Sequence, residues 1–176
     1  MPQSRKSLAQ PRRSAAKVSR KIGVISDTHG LLRPEALQAL RGSDLIIHAG
    51  DVGDPSILEA LANIAPVVAV RGNVDTPDWA KSLPETAVVE AGGVNIYVLH
   101  DLKALDLDPK ASEFHVVVSG HSHKPSRSER IGVLYINPGS AGPRRFSLPI
   151  TVATMDLGAN PWTVEFVDLE KERRVK

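Results

Sequence analysis

Five times along this chain a short apolar run stops at a side chain able to bind a metal ion. Residues 22–25 run into Ser26-Asp27-Thr28-His29-Gly30, and residues 44–49 run into Gly50-Asp51. Residues 66–70 lead to Gly72-Asn73-Val74-Asp75, residues 94–99 to His100-Asp101, and residues 115–119 to Gly120-His121-Ser122-His123. Short runs rich in Val and Ile read as buried, largely parallel strands. Open α/β sheets keep their ligand sites just beyond the carboxyl ends of such strands. One Asp-x-His alone is a weak signal, because a capping Asp beside a surface His explains it equally well. Its repetition at successive strand ends carries the weight.

The connections indicate the topology. Pro34 suits a first helical turn, Leu37 and Leu40 supply an apolar stripe, and Gly42 ends the segment. Asp54-Pro55 reads as a cap followed by a first-turn proline, after which Ile57, Leu58, Leu61 and Ile64 keep helical spacing. Strand-helix-strand-helix-strand at short intervals implies a parallel sheet with right-handed crossovers. The second half changes character. Gly92-Gly93 signals a hairpin between residues 86–90 and 94–99. Residues 102–113 read as irregular, with a helical turn after Pro109; residues 132–136 lead to Asn137-Pro138-Gly139-Ser140. Residues 150–156 and 162–168 read as closing antiparallel strands. The expected fold is α/β, two mixed sheets face to face with flanking helices.

Composition narrows the chemistry. With no cysteine among 176 residues, disulfides and thiolate zinc sites are excluded. Any metal must be held by His, Asp, Asn or Glu. No apolar run approaches the roughly 20 residues of a membrane span. Aromatics make up only 4%, and Trp79 and Trp162 are isolated, so no platform for stacking bases is expected and no specific nucleic acid partner. The net charge of +2 hides a split: residues 1–21 hold seven of the 22 basic residues and no acid, leaving 15 bases against 20 acids elsewhere. Residues 1–20 are read as a basic, disordered tail and residues 21–170 as one domain. The tail lacks the apolar stretch of a signal peptide, and a cytoplasmic protein is expected. Deleting residues 1–19 should leave folding and small-substrate turnover unchanged, since Leu8 and Val18 are almost the only apolar residues available to dock. A drop of several degrees in melting temperature on truncation would refute that.

The strand-end residues are Asp27, His29, Asp51, Asn73, His100, His121 and His123, which include four of the six histidines. These oxygen and nitrogen donors suit Mn, Fe, Zn or Ni better than Mg or Ca. They exceed what one ion needs. Two divalent ions sharing a bridging carboxylate would use them all, with manganese the first expectation.

In this order the motifs resemble the calcineurin-like metallophosphoesterase superfamily. Ser26-Asp27-Thr28-His29-Gly30, Gly72-Asn73-Val74-Asp75 and Asn137-Pro138-Gly139-Ser140 are similar to the small YfcE-type phosphodiesterase group. The resemblance implies a four-layer αββα sandwich. It implies that Asp27, His29 and His123 hold one metal, that Asn73, His100 and His121 hold the other, and that Asp51 bridges. Asp51, Asn73 and His100 are the expected catalytic residues. The implied reaction is hydrolysis of phosphodiester bonds in small substrates, by in-line attack of a metal-bridging hydroxide. A phosphomonoesterase on the same site and a non-catalytic scaffold resembling Vps29 are the alternatives, the scaffold disfavoured because no ligand position is lost.

Two positions depart from the wider pattern. Many members carry a histidine, thought to protonate the leaving group, where this chain has Val74; the YfcE-type group also lacks it. Asp101 stands where glycine is usual, and its carboxylate either distorts the turn or joins the outer shell of the site. Arg33 is a candidate to bind a substrate phosphate. His48 reads as a core histidine before an orienting one, His115 as structural, and Asn137 and Ser140 as scaffold. Gly50, Gly72 and Gly120 are expected to permit sharp turns. No insertion is available to shape a specificity pocket, and the oligomeric state, a homo-oligomer included, stays open.

Overall fold

The computed structural model describes residues 20–171, so the basic tail, Arg20 apart, lies outside the described residues. The strands are β1 (Lys21–Ile25), β2 (Leu45–His48), β3 (Val67–Ala69), β4 (Thr86–Ala91), β5 (Val94–Leu99), β6 (Val116–Val118), β7 (Ser126–Arg130), β8 (Val133–Asn137), β9 (Thr151–Asp156) and β10 (Thr163–Asp168). The helices are α1 (Pro34–Ala39) and α2 (Pro55–Ala62). They form two mixed five-stranded sheets, in the orders β10-β9-β1-β2-β3 and β4-β5-β6-β8-β7. β1, β2 and β3 are parallel, as are β5, β6 and β8, while β9 and β10 close the first sheet antiparallel.

Alternation along the strands sorts side chains into layers. Val94, Ile96 and Val98 of β5 enter the core between the sheets, while Tyr97 and Leu99 face outward. Ile22 and Val24 of β1 enter the same core, and Ile25 faces the helices. Gly23 lets α1 approach, because a Cβ there would lie 2.8 Å from the Leu40 side chain. The inter-sheet core holds 17 buried hydrophobic residues against four on the outer face of the second sheet. A further 12 are buried between the first sheet and its helices, so at about 1.5–3 kcal/mol for each large aliphatic side chain buried both of these layers contribute heavily to stability.

The outer layers differ. The first sheet is covered by α1 and α2. The second is covered mainly by residues 102–114, where Leu102, Leu105, Leu107 and Phe114 pack on Tyr97, Leu99 and Val117. This cover contains one 3₁₀ turn, Leu102–Ala104, and no α-helix. The alternation Leu105-Asp106-Leu107-Asp108 has no helical period. β7 has no counterpart in the sequence reading: Ser-Arg-Ser-Glu-Arg is exposed throughout and pairs only with β8 at the sheet edge, so it shows no apolar alternation. Among the described residues no helix is long and apolar enough to cross a membrane.

Candidate metal centre

The carboxyl ends of β1, β2 and β3 meet those of β5 and β6 at one edge of the sandwich. The turns there are sharp. Asp27, His29, Asp51, His121 and His123 all have left-handed backbone, with φ of 54°, 46°, 55°, 64° and 58°. Each such residue costs on the order of 1 kcal/mol or more, and strain of this kind persists where the surroundings over-determine it. Here they do. Asp27 N–H donates to Gly50 O (3.0 Å), His29 N–H to Asp51 O (2.9 Å) and Gly30 N–H to Val52 O (2.9 Å), lashing the first loop to the second. His121 N–H donates to Asp27 Oδ2 (3.1 Å), tying in the second sheet.

The glycines act for two different reasons. Gly50 has φ of 93°, as a sharp turn requires. Gly72 and Gly120 are not left-handed, and close approach explains them instead. A Cβ at Gly72 would sit 2.1 Å from Asp51 Oδ1, and one at Gly120 would sit 2.0 Å from Ser26 Oγ. A Cβ would clash at all three, as expected of glycines at these strand ends, but only Gly50 also needs left-handed backbone.

All seven strand-end residues converge in two groups. Asp27, His29 and His123 form the first: His29 Nε2 and His123 Nε2 are 3.3 Å apart, and Asp27 Oδ1 lies 3.2 Å from His123 Nε2. Asn73, His100 and His121 form the second, with Asn73 Oδ1 at 3.0 Å from His100 Nε2 and 3.1 Å from His121 Nδ1. Asp51 Oδ2 faces both, 3.8 Å from His29 Nε2 and 3.3 Å from His100 Nε2.

The chemistry of these groups fits cations. Asp27 Oδ1 is buried with no hydrogen-bond partner, a costly state for a carboxylate oxygen that an adjacent cation relieves. His100 Nδ1 lies 2.7 Å from the Ala49 carbonyl, which fixes its proton there and leaves Nε2 as a lone pair in the neutral ring. That lone pair faces the lone pairs of Asn73 Oδ1, an arrangement that a proton or a metal ion between them resolves. Burial disfavours a charged His100, but the Asp51 carboxylate and the Ala49 carbonyl outweigh it and its pKa is raised.

Burial above all pushes Asp27 up to about 6. Burial, then the charge of Arg145, pushes His123 down to about 4, and burial lowers His29 as well. At pH 6 the His123 imidazole is already unprotonated and His29 is shifted the same way, while below that pH a proton on Asp27 competes with metal. Metal affinity of the first group should therefore fall by about tenfold per pH unit below pH 6, while the raised pKa of His100 brings proton competition at the second group in at higher pH. Calorimetric titration of manganese between pH 5 and 7.5 checks this, and a flat affinity over that range would count against Asp27 as a ligand.

Two supporting residues were missed or undervalued in the sequence. Asp75, almost fully buried, accepts from Val52 N–H (3.1 Å), Gly53 N–H (2.9 Å) and Gly72 N–H (2.9 Å). It clamps the loop of Asp51 to the loop of Asn73; its place in Gly72-Asn73-Val74-Asp75 was the available signal. His48 is fully buried, and burial pushes its pKa down to about 4, so the ring is neutral. Gly50 N–H donates to His48 Nδ1 (3.2 Å), so its Nε2–H donates to Thr28 Oγ1 (2.9 Å), which in turn donates to Val52 O (2.9 Å). It is a core histidine that also ties the first two ligand loops together.

The other candidates are placed as follows. Asn137 Nδ2 donates to Gly120 O (2.6 Å), and Ser140 Oγ donates to Asp27 O (3.0 Å), both scaffold contacts. His115 Nδ1 accepts from Asn95 N–H (3.0 Å) and its ring meets Trp162 edge-on, so it is structural. Arg33 Nη2 donates to Gly142 O (3.2 Å), bracing the segment whose Gly142 N–H reaches Asp27 O. Asp101 Oδ1 accepts from Lys103 N–H (3.0 Å) and its Oδ2 lies 3.8 Å from His121 Nε2, so this carboxylate does border the site.

A two-sheet sandwich with paired His/Asp groups at one edge is the class of protein with a candidate metal centre at its strand ends. The chain belongs to the calcineurin-like phosphoesterase superfamily, whose domain profile matches residues 21–160. A probable metallophosphoesterase, MJ0623 of Methanocaldococcus jannaschii, is 39% identical over 132 residues, covering 68% of this chain and 67% of that protein. Among solved structures, one described as a novel archaeal phosphodiesterase superposes with a TM-score of 0.70 at 25% identity, covering 84% of this chain and 99% of the other. Vps29 of Chaetomium thermophilum shares the fold, with a TM-score of 0.69 at 21% identity over 86% of this chain and 97% of its own.

Proposed function

We propose that this metallophosphoesterase cleaves phosphodiester bonds in small substrates with two divalent cations, manganese the first candidate. The observation that carries the reading is Asp51 Oδ2, which faces both ligand groups at once. Asp27, His29 and His123 would hold one cation, Asn73, His100 and His121 the other, and Asp51 would be shared. When bound, such a pair supplies a nucleophile at neutral pH and offsets charge on the phosphoryl oxygens during in-line displacement.

The chain's own residues set the selectivity. Two divalent cations, set against the carboxylates of Asp27 and Asp51 and the single negative charge of a hydroxide nucleophile, would leave one net positive charge, suited to a diester monoanion. A monoester, near −2 at neutral pH, is less well matched. Val74 offers no proton to the leaving group, so good leaving groups are favoured. Arg33, which reaches Gly142 O next to the first loop, remains our candidate for contact with the substrate phosphate.

The test is elemental analysis of manganese-saturated protein, with turnover of bis(p-nitrophenyl) phosphate against p-nitrophenyl phosphate. The diester should be the better substrate. Asp101→Gly should raise relative monoester turnover by about threefold, by removing a negative charge beside His121. Faster monoester hydrolysis by the wild type would overturn the diester assignment.

A further inference from the structure

We infer that the cleft beside the second ligand group seats one ester substituent of the diester and selects a neutral or cationic alcohol over one carrying a further negative charge. The inference rests on the phosphodiesterase reading and specifies its substrate class. The cleft has a volume of about 810 Å³, and Asn73, His100 and His121 form part of its wall. It is therefore continuous with the reacting centre, and it has the volume typical of organic-ligand sites. Tyr97, Leu99 and Ala104 supply its apolar surface. A fold without an inserted domain thus has a cleft beside the site that could shape specificity.

Its charge runs opposite to that of the metal pair. The lining contains two cations, Arg71 and Lys81, and four carboxylates, Asp75, Glu85, Asp101 and Asp106. Each cation has a carboxylate partner: Arg71 Nη2 lies 2.6 Å from Glu85 Oε1, and Lys81 Nζ lies 2.6 Å from Asp78 Oδ1. Neither Asp101 nor Asp106 has a Lys or Arg partner among the described residues. Asp101 is held in place by Lys103 N–H. A substrate would present its phosphate to the positive centre and its alcohol to a negative cleft. A second anion on that alcohol would face Asp101 and Asp106 with no free cation to meet it.

The experiment compares p-nitrophenyl phosphocholine with p-nitrophenyl phosphoglycolate at saturating manganese and low salt. The choline ester should show the higher kcat/KM, by about fivefold. Asp106→Lys should lower that ratio severalfold, and Asp101→Asn should lower it too. Amide chemical shifts on titrating choline phosphate into the protein should move at Thr76, Ala104 and Asp106, a readout that needs no turnover. A ratio near one in the wild type, a ratio that Asp106→Lys leaves unchanged, or shifts that miss the cleft would overturn the inference. Bis(p-nitrophenyl) phosphate separates the two levels. If it is hydrolysed while the ratio is one, the cleft assignment falls and the phosphodiesterase reading stands. If metal-saturated protein leaves it intact, both fall.

Discussion

Asp51→Asn is expected to lower diester turnover by on the order of 10²–10³-fold or more and to leave fewer than two manganese ions per chain. The carboxylate is almost fully buried, and its pKa is lowered: burial opposes ionisation, but the His100 contact and the Val74 N–H outweigh it. Val74 N–H donates to Oδ1 (2.9 Å), and an asparagine oxygen can keep that bond. Its amide nitrogen must then occupy the Oδ2 position, between His29 and His100. A donor replaces a negative acceptor at the place where both ligand groups meet. Because the hydrogen bond to the backbone survives, the fold should remain intact. Elemental analysis with kinetics on the same preparation is the check. Two manganese ions per chain together with turnover within tenfold of wild type would end the shared-ligand assignment.

Asp75→Ala should destabilise the protein by roughly 3–5 kcal/mol and lower its melting temperature by roughly 10 °C. The side chain accepts three backbone N–H groups from two loops, and alanine leaves all three without an acceptor. Asp75→Asn should be intermediate. Its one oxygen can take the place of Oδ2 and serve Val52 and Gly72, while its amide nitrogen opposes the Gly53 donor. Both variants should also weaken metal binding, since Asp51 and Asn73 sit on the loops that Asp75 joins. Thermal unfolding and manganese titration read the two effects separately. Wild-type stability in Asp75→Ala would mean the three N–H groups find other partners, and the clamp assignment would be wrong.

Much of the candidate site was legible because strand ends announce themselves. An apolar run that ends in Asp, Asn or His, three times with a glycine before it, marks the place, and the seven strand-end residues come together. Residues with weak local signals were harder. β7 is polar and exposed along its whole length, so nothing in its sequence distinguishes it from a loop. Asp75 looks like any loop carboxylate until the N–H groups of residues 52 and 53 arrive from another strand end.

The sequence by itself determined the alternation that divides the strands into layers, the order of the strand-end Asp, Asn and His residues and the absence of thiol chemistry. These follow from local periodicity and composition, which need no knowledge of pairing. Only the tertiary structure decided that Asp51 faces both ligand groups and that Gly72 and Gly120 serve close approach. It alone showed that Asp101 borders His121 and that a negative cleft opens beside the second group. Each of these depends on contacts between residues distant in the chain. Such distances are set by how the two sheets stack, and no local pattern encodes them.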